Sequence, residues 1–305
     1  MKISIIGIGR VGSTLAYIVA SRGLCNELVL VNRRHEIALG DAFDLMHTLP
    51  FLTRIIHIHA GDIQATHGSD IIAICASVPM KGDILDRNDL ASGNIKLFES
   101  MIPSLVEYSP KARIVIISNP VDVLTYHTLK ITNLPASQVM GTGTLIDSAR
   151  FRALLSQELS IHADDLRAYI LGEHGSHQFP ALSRAFSGGE IIEDNERRRQ
   201  LFRDTVEAGF KVYRYKGYTN YAVATAAAAV IEAIAFDTCR IMPLSVLIDG
   251  FVDVRDVCLS LPVVVGVHGI LRTLHPQLND EEKDAFKSAA KKVQEVYRMS
   301  TSTSH

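Results

Sequence analysis

Short apolar runs alternate with longer segments of helical periodicity in the first half of the chain. The runs predict buried strands, and they occupy residues 2–6, 28–31, 55–59, 71–75, 113–118 and 139–141. Between the first two runs, Val11 and Leu15 fall at helical spacing and predict a helix over residues 10–22. Strands this apolar are typical of a parallel sheet covered on both faces. The pattern therefore predicts an α/β fold with a doubly wound parallel sheet of the Rossmann type.

The pattern changes after about Gly143, where predicted helices outnumber predicted strands. Helices are expected over residues 147–159, 190–215, 222–234 and 280–299, and strands over residues 166–171 and 263–267. The helix over 222–234 is rich in small residues, so it is expected to pack closely against its neighbours. The tail over 300–305 is expected to be disordered. With a length of 305 residues, the change predicts two coupled domains.

The composition excludes several classes of partner. The formal net charge is −2, so no basic excess exists to hold nucleic acid or an anionic membrane. Arg10 and Arg22 interrupt the apolar N-terminal run, and no stretch reaches the roughly 20 apolar residues that a membrane helix needs. The widely spaced cysteines are expected to be free thiols of a cytoplasmic protein and offer no metal-site spacing; they are Cys25, Cys75, Cys239 and Cys258. We therefore expect a small-molecule ligand, no bound metal, and self-association as the main alternative.

A G-x-G-x-x-G run follows the first predicted strand and opens the first predicted helix. Gly7 allows a tight turn, and Gly9 removes a side chain where a pyrophosphate must come close. Gly12 lets the helix and the strand pack tightly. The phosphates would lie at the positive end of the helix, beside Arg10 and Val11. The run predicts a dinucleotide-binding site.

The residue that ends the second strand bears on the choice of cofactor. An NAD-selective site places an acid about 20 residues after the glycines, where it accepts hydrogen bonds from the ribose hydroxyls. Here Asn32 occupies that position, followed by Arg33 and Arg34. Asparagine tolerates a 2′-phosphate, and arginine can bind one with charge-assisted hydrogen bonds. We expect use of NADP at least as well as NAD; the alternative is that both arginines are solvated loop charges.

One histidine differs in context from the other eleven. His174 follows an apolar strand and lies in Leu-Gly-Glu-His-Gly, where flanking glycines allow a ligand to approach. A histidine paired with an aspartate can donate a proton near neutral pH, and an arginine can bind a substrate carboxylate through two hydrogen bonds. His174 is thus a candidate acid for the reduction of a 2-oxo acid.

Several motifs occur in an order that makes the chain resemble the lactate/malate dehydrogenase family along nearly its whole length. These motifs are Gly7-x-Gly9-x-x-Gly12, Arg87-Asn88-Asp89-Leu90, Ser118-Asn119-Pro120-Val121-Asp122, Gly141-Thr142-Gly143-Thr144, Asp147-Ser148-Ala149-Arg150, Gly172-Glu173-His174-Gly175 and Lys216-Gly217-Tyr218-Thr219. The resemblance implies a Rossmann dinucleotide-binding domain over residues 1–143 and a mixed α/β substrate domain over residues 144–305. It implies an NAD(P)-dependent L-2-hydroxy-acid dehydrogenase, similar to the L-2-hydroxyisocaproate and L-lactate dehydrogenases, that works as a homodimer or homotetramer.

The resemblance also implies roles for individual residues. His174 looks like the acid/base, and Asp147 looks like its carboxylate partner. Arg150 of the same segment looks like the clamp for the substrate carboxylate. Asp147 and Arg150 are three positions apart, so a helix would show both on one face. Arg87 looks like the arginine that polarises the substrate carbonyl.

Three further positions concern the substrate pocket. Asn119 looks like a residue near the nicotinamide and the substrate, and Thr219 looks like a wall of the pocket. Met80 stands where malate enzymes of the family carry an arginine, so a dicarboxylate would keep one carboxylate unpaired. We therefore expect a 2-oxo monocarboxylate with an apolar side chain. The segment from Met80 to Arg87 is one residue longer than the family pattern, which leaves Lys81 as an alternative occupant.

Two other functions stay open from the sequence. A malate dehydrogenase is the nearest alternative, and Met80 argues against it. A non-catalytic NADP-sensing module is the alternative from another class, although it would have no reason to combine His174, Asp147, Arg150 and Arg87.

Overall fold

The computed structural model describes residues 1–79 and 90–302, and strands alternate with helices through the first half. This half contains β1 (Lys2–Ile6), α1 (Arg10–Ser21), β2 (Glu27–Val31), α2 (His35–Thr48), β3 (His57–Gly61), β4 (Ile71–Ile74), α3 (Ala91–Tyr108), β5 (Arg113–Ile116), α4 (Val121–Ile131), β6 (Val139–Gly141) and α5 (Leu145–Leu159). The second half contains β7 (Ile170–Gly172), β8 (Gln178–Pro180), β9 (Phe186–Ser187), β10 (Glu190–Ile191), α6 (Glu196–Lys216), α7 (Tyr221–Ala235), β11 (Arg240–Asp249), β12 (Arg255–Gly266), β13 (Gly269–Thr273) and α8 (Asp280–Ser302).

The first six strands form a parallel sheet in the order β3-β2-β1-β4-β5-β6. All four residues of β4 are buried, as expected for a strand covered by helices on both faces. The strand order reverses between β1 and β4, and in such sheets a crevice for ligands opens at the carboxyl ends of the strands at this point. The predicted doubly wound Rossmann sheet is confirmed.

The same sheet continues beyond β6 with antiparallel strands. β11 pairs with β6 and β12, β12 pairs with β7 and β13, and β8 closes the edge beside β7. Strands β9 and β10 form a separate hairpin. The second half is therefore mixed α/β, as expected. One apolar core contains residues from both halves, including Ile5, Leu124, Ile231, Leu259 and Phe286. The division into domains at residue 143 stays a prediction.

Several predicted boundaries differ from the structure. The helix predicted over 190–215 begins only at Glu196, because the Asn195 side chain accepts a hydrogen bond from the Arg198 N–H and caps it. The strand predicted over 166–171 is shorter, and Arg167 forms only an isolated bridge with Phe186. The tail prediction was wrong for residues 300–302, which extend the last helix.

The alanine-rich segment forms α7, which packs on α1 within the same chain. Ala224, Ala227 and Ala228 are fully buried there, so small side chains serve close packing between two helices of one molecule. No described helix has both the length and the apolar character needed to cross a membrane.

Candidate active site

The glycine loop joins β1 to α1 at the crevice between β1 and β4. Gly7 has φ +95°, and a Cβ there would lie 2.4 Å from the Ala76 nitrogen; a Cβ at Gly12 would lie 2.1 Å from the Gly7 oxygen. Both positions therefore exclude any side chain. Gly9 caps α1, and a Cβ there would meet no described atom within 4 Å. The loop leaves open space at a helix N-terminus, which fits a dinucleotide pyrophosphate.

The two residues after Gly9 differ in their surroundings. Val11 packs against the hydrophobic core. Arg10 is exposed, and its guanidinium carbon lies 3.8 Å from the centroid of the Tyr218 ring. The Asn220 amide donates to the Thr14 hydroxyl over 2.9 Å, so the segment between α6 and α7 is tied to α1 at two points. Arg10 is thus a cation beside the predicted pyrophosphate site, held by a stacked aromatic ring.

Asn32 lies at the carboxyl end of β2, at the same edge of the sheet as the glycine loop. Its amide donates to the Arg34 carbonyl over 3.1 Å. Arg33 and Arg34 are exposed, and neither forms an ion pair with a residue in the described part of the chain. The surface beyond β2 therefore presents two positive charges. An NAD-selective site would carry an acid there, and that acid would repel a 2′-phosphate.

Asn119 follows β5, and a cis peptide bond joins it to Pro120. Its carbonyl accepts a hydrogen bond of 2.7 Å from the fully buried Asn94 side chain. The Asn119 Oδ1 atom is buried and has no hydrogen-bond partner among the residues that the structure describes. Because a buried polar atom without a partner is costly, this oxygen fits a donor on a ligand. The loop and Asn119 together fit a bound nicotinamide dinucleotide.

Three predicted residues of the second half come together at one cavity. Asp147 lies in the first turn of α5, and its Oδ2 atom is 2.5 Å from Nδ1 of His174, which follows β7. Its Oδ1 atom accepts a hydrogen bond of 3.2 Å from Nη1 of Arg150, one turn along α5. Asp147 is 2% exposed, so its charge interacts through a medium of low polarity. The buried carboxylate orients both the imidazole and the guanidinium.

Asp122, at the start of α4, supports His174 from the other side. Its Oδ2 atom accepts a hydrogen bond of 2.7 Å from the backbone N–H of His174, and its Oδ1 atom accepts one of 2.5 Å from the Ser245 hydroxyl. Burial raises the pKa of the Asp122 carboxyl to about 7, and the two hydrogen bonds oppose this rise. Sequence reasoning quoted Asp122 within a motif but gave it no role, because its partners lie more than 50 residues away.

The cavity has a volume of about 310 Å³ and two kinds of lining. Asp147, Arg150 and His174 belong to its polar lining, together with Asp122 and Glu173. Apolar side chains from α4, α6 and α8 also line it, and they are Val123, Val206, Phe210, Val293 and Val296. Lys292 of α8 adds a second cation. The sequence analysis missed all six, since they carry no motif and come from three separate helices.

Four predicted residues lie outside this cavity or outside the described residues. Thr219 is half-buried in the connection between α6 and α7, which the Asn220 side chain links to α1, and it does not line the cavity. Asn119 does not line the cavity either. Met80 and Arg87 lie outside the described residues. The pocket roles of all four stay predictions.

The arrangement has a clear chemical capability. A histidine bonded through Nδ1 to a buried aspartate presents Nε2 on the opposite side of the ring for proton exchange. An arginine at the same cavity can hold a carboxylate through two parallel hydrogen bonds. A proton donor and an anion clamp in one cavity, near a dinucleotide loop, suit the reduction of a small 2-oxo acid.

Two family models match consecutive parts of the chain. The first is described as lactate/malate dehydrogenase, NAD binding domain, and matches residues 1–141. The second is described as lactate/malate dehydrogenase, alpha/beta C-terminal domain, and matches residues 144–302. Together they cover nearly all of the chain.

Curated proteins and solved structures give the same result. The chain is 38% identical to an L-lactate dehydrogenase of Thermoanaerobacterium saccharolyticum over 310 aligned residues, covering 98% of each chain. It is 39% identical to one of Thermoanaerobacter sp., covering 97% of each. A minor L-lactate dehydrogenase from Enterococcus mundtii superposes with a TM-score of 0.93 at 27% identity, and a lactate dehydrogenase from a Medee basin deep-sea metagenome library with 0.94 at 30%; both cover 98% of each chain.

Proposed function

The chain belongs to the lactate/malate dehydrogenase family, and we propose that it interconverts a 2-oxo monocarboxylate with an apolar side chain and the corresponding L-2-hydroxy acid. It is an L-lactate dehydrogenase-like oxidoreductase that acts on the CH–OH group of a 2-hydroxy acid. The observation that carries the proposal is the contact of 2.5 Å between Asp147 and His174 in the cavity that Arg150 also lines.

The proposed mechanism assigns one task to each of these side chains. Arg150 binds the substrate carboxylate and fixes the carbonyl carbon in place. Protonated His174 donates from Nε2 to the carbonyl oxygen, and Asp147 stabilises the imidazolium before the transfer. The glycine loop and Asn119 would hold a nicotinamide dinucleotide, which would provide the hydride for reduction of the same carbon. Asp122 fixes the backbone of His174 by accepting a hydrogen bond from its N–H.

Four more residues complete the proposal through the family resemblance, and two of them, Arg87 and Met80, lie outside the described ranges. Arg87 would polarise the substrate carbonyl, and Met80 would face the substituent that distinguishes one 2-oxo acid from another. Asn119 and Thr219 would lie beside the nicotinamide and the substrate.

The apolar lining supports a substrate with a side chain larger than a methyl group. Val206, Phe210 and Val296 lie in the cavity that contains His174, and apolar side chains gain about 25 cal/mol for each Å² that they remove from water. Lys292 favours the second candidate, a malate dehydrogenase, because this cationic residue lines the same cavity and its charge could pair with a second carboxylate.

The glycine loop supports a nicotinamide dinucleotide, and we propose that the cofactor is NADP at least as readily as NAD. Asn32 carries no charge, so it does not repel a 2′-phosphate. Arg33 and Arg34 are exposed beside it and can form charge-assisted hydrogen bonds with that group.

A homodimer or homotetramer is also part of the proposal. Leu39 and Phe43 lie one turn apart on α2 and are 38% and 51% exposed. Phe51 and Ile55, just beyond that helix, are 87% and 91% exposed. Adjacent exposed apolar side chains of this size support a contact with another copy. The four cysteines are free thiols, which supports a cytoplasmic location.

The test is the oxidation of NADH and of NADPH with pyruvate, 2-oxoisocaproate, phenylpyruvate and oxaloacetate in parallel. We expect turnover of the monocarboxylates, with 2-oxoisocaproate preferred over pyruvate. A preference for oxaloacetate would mean that Lys292, or a residue outside the described ranges, pairs with the second carboxylate of the substrate. Cofactor binding without turnover of any of the four acids would favour the NADP-sensing module.

A further inference from the structure

Three side chains with metal-ligand chemistry lie together at the amino ends of β2 and β3. Glu27 begins β2, and His57 begins β3 directly opposite it in the parallel register. His59 is two residues further along β3, and alternate residues of a strand project from the same face. The ligand atoms of the three side chains all lie within 4.8 Å of one another.

The distances suit a small tetrahedral ion. Nε2 of His59 lies 3.0 Å from Oε1 of Glu27, and the two imidazole rings are 4.9 Å apart between centroids. Zinc binds such atoms at about 2.0–2.1 Å, which places neighbouring ligand atoms about 3.3 Å apart. Two of the three ligand atoms are already near this separation. His57 is exposed, so its side chain has room to rotate when an ion binds.

We propose that Glu27, His57 and His59 form a surface site for a zinc ion, with water as the fourth ligand. Two imidazoles and one carboxylate are a set that zinc accepts. The cysteine spacing predicts no metal site, and these three residues form no local motif. Glu27 is 30 residues away from His57, so only the pairing of β2 with β3 brings the set together.

The charge of Lys2 lies beside the proposed zinc site and should affect zinc affinity. Its Nζ atom lies 3.0 Å from the same Oε1 atom of Glu27, while its backbone N–H donates to Asp70. In the absence of metal the ammonium group neutralises the carboxylate. Zinc must replace this contact and then stays close to a positive charge. Removal of the Lys2 charge should therefore tighten zinc binding.

The site is at the edge of the sheet opposite to the proposed active site. Gly7 and Asn32 follow the carboxyl ends of β1 and β2, whereas Glu27 begins β2. Zinc would join β2 to β3, which is an edge strand of the sheet. Its expected effect is therefore on stability, through binding to the folded state alone.

The experiment uses untagged full-length protein freed of metal with a chelator and titrated with zinc chloride by calorimetry. We expect one zinc ion per chain and a rise in Tm when zinc is added. His57→Gln and His59→Gln should each weaken zinc binding at least about 10-fold, as loss of one of three ligands requires. Lys2→Gln should strengthen it several-fold.

His67→Gln is the matched control, because His67 is also exposed and does not belong to the group of ligand atoms formed by Glu27, His57 and His59. The Tm of every variant in the presence of chelator shows that it is folded. If His57→Gln and His59→Gln bind zinc as tightly as His67→Gln does, the site does not exist. If zinc binds none of the proteins, the proposal also fails. Neither result depends on dehydrogenase activity.

Discussion

The Oδ2 atom of Asp147 lies 2.5 Å from Nδ1 of His174, although 27 residues separate the two along the chain. The contact forms because α5 begins beside the end of β7. Hydroxyls fix this arrangement: Thr144 donates to the Ile170 carbonyl over 2.6 Å, and Ser148 accepts from the Ile170 N–H over 2.9 Å. Because the aspartate and the imidazole are already held in contact, little rearrangement is needed when the imidazole becomes protonated.

Asp147→Asn should lower kcat/KM for reduction of the preferred 2-oxo acid by about 10²–10⁴, the usual range for impaired acid–base catalysis. The amide no longer stabilises the imidazolium, while the shape of the side chain is kept. The measurement is steady-state kinetics across pH, with cofactor affinity determined separately. Asp284→Asn, at an exposed carboxylate of α8, should have no effect. Equal rates in both variants would remove Asp147 from the mechanism.

Arg150→Lys should raise the KM for the 2-oxo acid by about 10-fold or more, because charge-assisted hydrogen bonds contribute about 1.5–3 kcal/mol. Lysine keeps the charge and loses the paired geometry of the guanidinium. The control is Arg197→Lys at an exposed position of α6. A KM unchanged from the wild type would mean that another group binds the substrate carboxylate.

Asp122→Ala should reduce the free energy of unfolding by about 1–3 kcal/mol, because the His174 N–H and the Ser245 hydroxyl lose their acceptor. It should also lower kcat and change the pH profile of kcat/KM. Asp122→Asn offers an acceptor for the His174 N–H and a donor for Ser245, so it should restore most of both losses. Equal damage in the two variants would argue against positioning through these hydrogen bonds.

Asp122 also predicts how stability depends on pH. The pKa of its carboxyl rises from 3.8 to about 7 in the folded chain, so folding favours the protonated form. Its contribution to stability is therefore complete below pH 3.8 and is lost as the pH rises through about 7. Chemical denaturation between pH 4 and 8 should show a smaller loss of stability with rising pH in Asp122→Asn than in the wild type. Parallel curves for the two proteins would contradict this.

Asn32→Asp should lower the ratio of kcat/KM for NADPH to that for NADH at least about 10-fold, since a carboxylate repels the 2′-phosphate and binds ribose hydroxyls. Asn26→Asp, exposed at the opposite edge of the sheet, is the matched control. An unchanged ratio would make Arg33 and Arg34 solvated charges with no part in cofactor selection.

Phe43→Glu should dissociate the proposed oligomer towards the chain mass of 33.5 kDa, because a charge replaces an exposed aromatic ring in the contact. Light scattering coupled to size-exclusion chromatography measures the mass. Val212→Glu on α6 replaces a residue of similar exposure and should leave the mass unchanged. If the wild-type protein already has the mass of a single chain, the proposal of an oligomer is wrong.

The parallel sheet was predictable because its strands are short, wholly apolar and separated by amphipathic helices. The strand β12 was mostly missed, since its first residues, Arg255 and Asp256, are charged and exposed. Its 12 residues pair with β11 along most of their length, and β13 and β7 also pair with it. Such pairing depends on neighbours distant along the chain, which a local pattern does not report.

The candidate active site was also only partly predictable from the sequence. His174 and its glycines form a local motif, so their importance was visible in the sequence. Asp147 and Arg150 became visible only through the family resemblance, because a carboxylate and an arginine three positions apart also describe an ordinary surface pair. Asp122 and Phe210 have no local signal. Their place at the cavity follows from tertiary packing alone.

The continuity of the sheet has a consequence for engineering this enzyme. Gly141 at the end of β6 pairs with Ser245 of β11, and the hydroxyl of that serine donates to Asp122. In a hybrid that joins residues 1–141 to the second half of a relative, the new β11 must therefore pair with β6. It must also supply the hydroxyl that donates to Asp122. The two halves are exchangeable only as a matched pair, and a mismatch at Ser245 would disturb His174 without any change in its own segment.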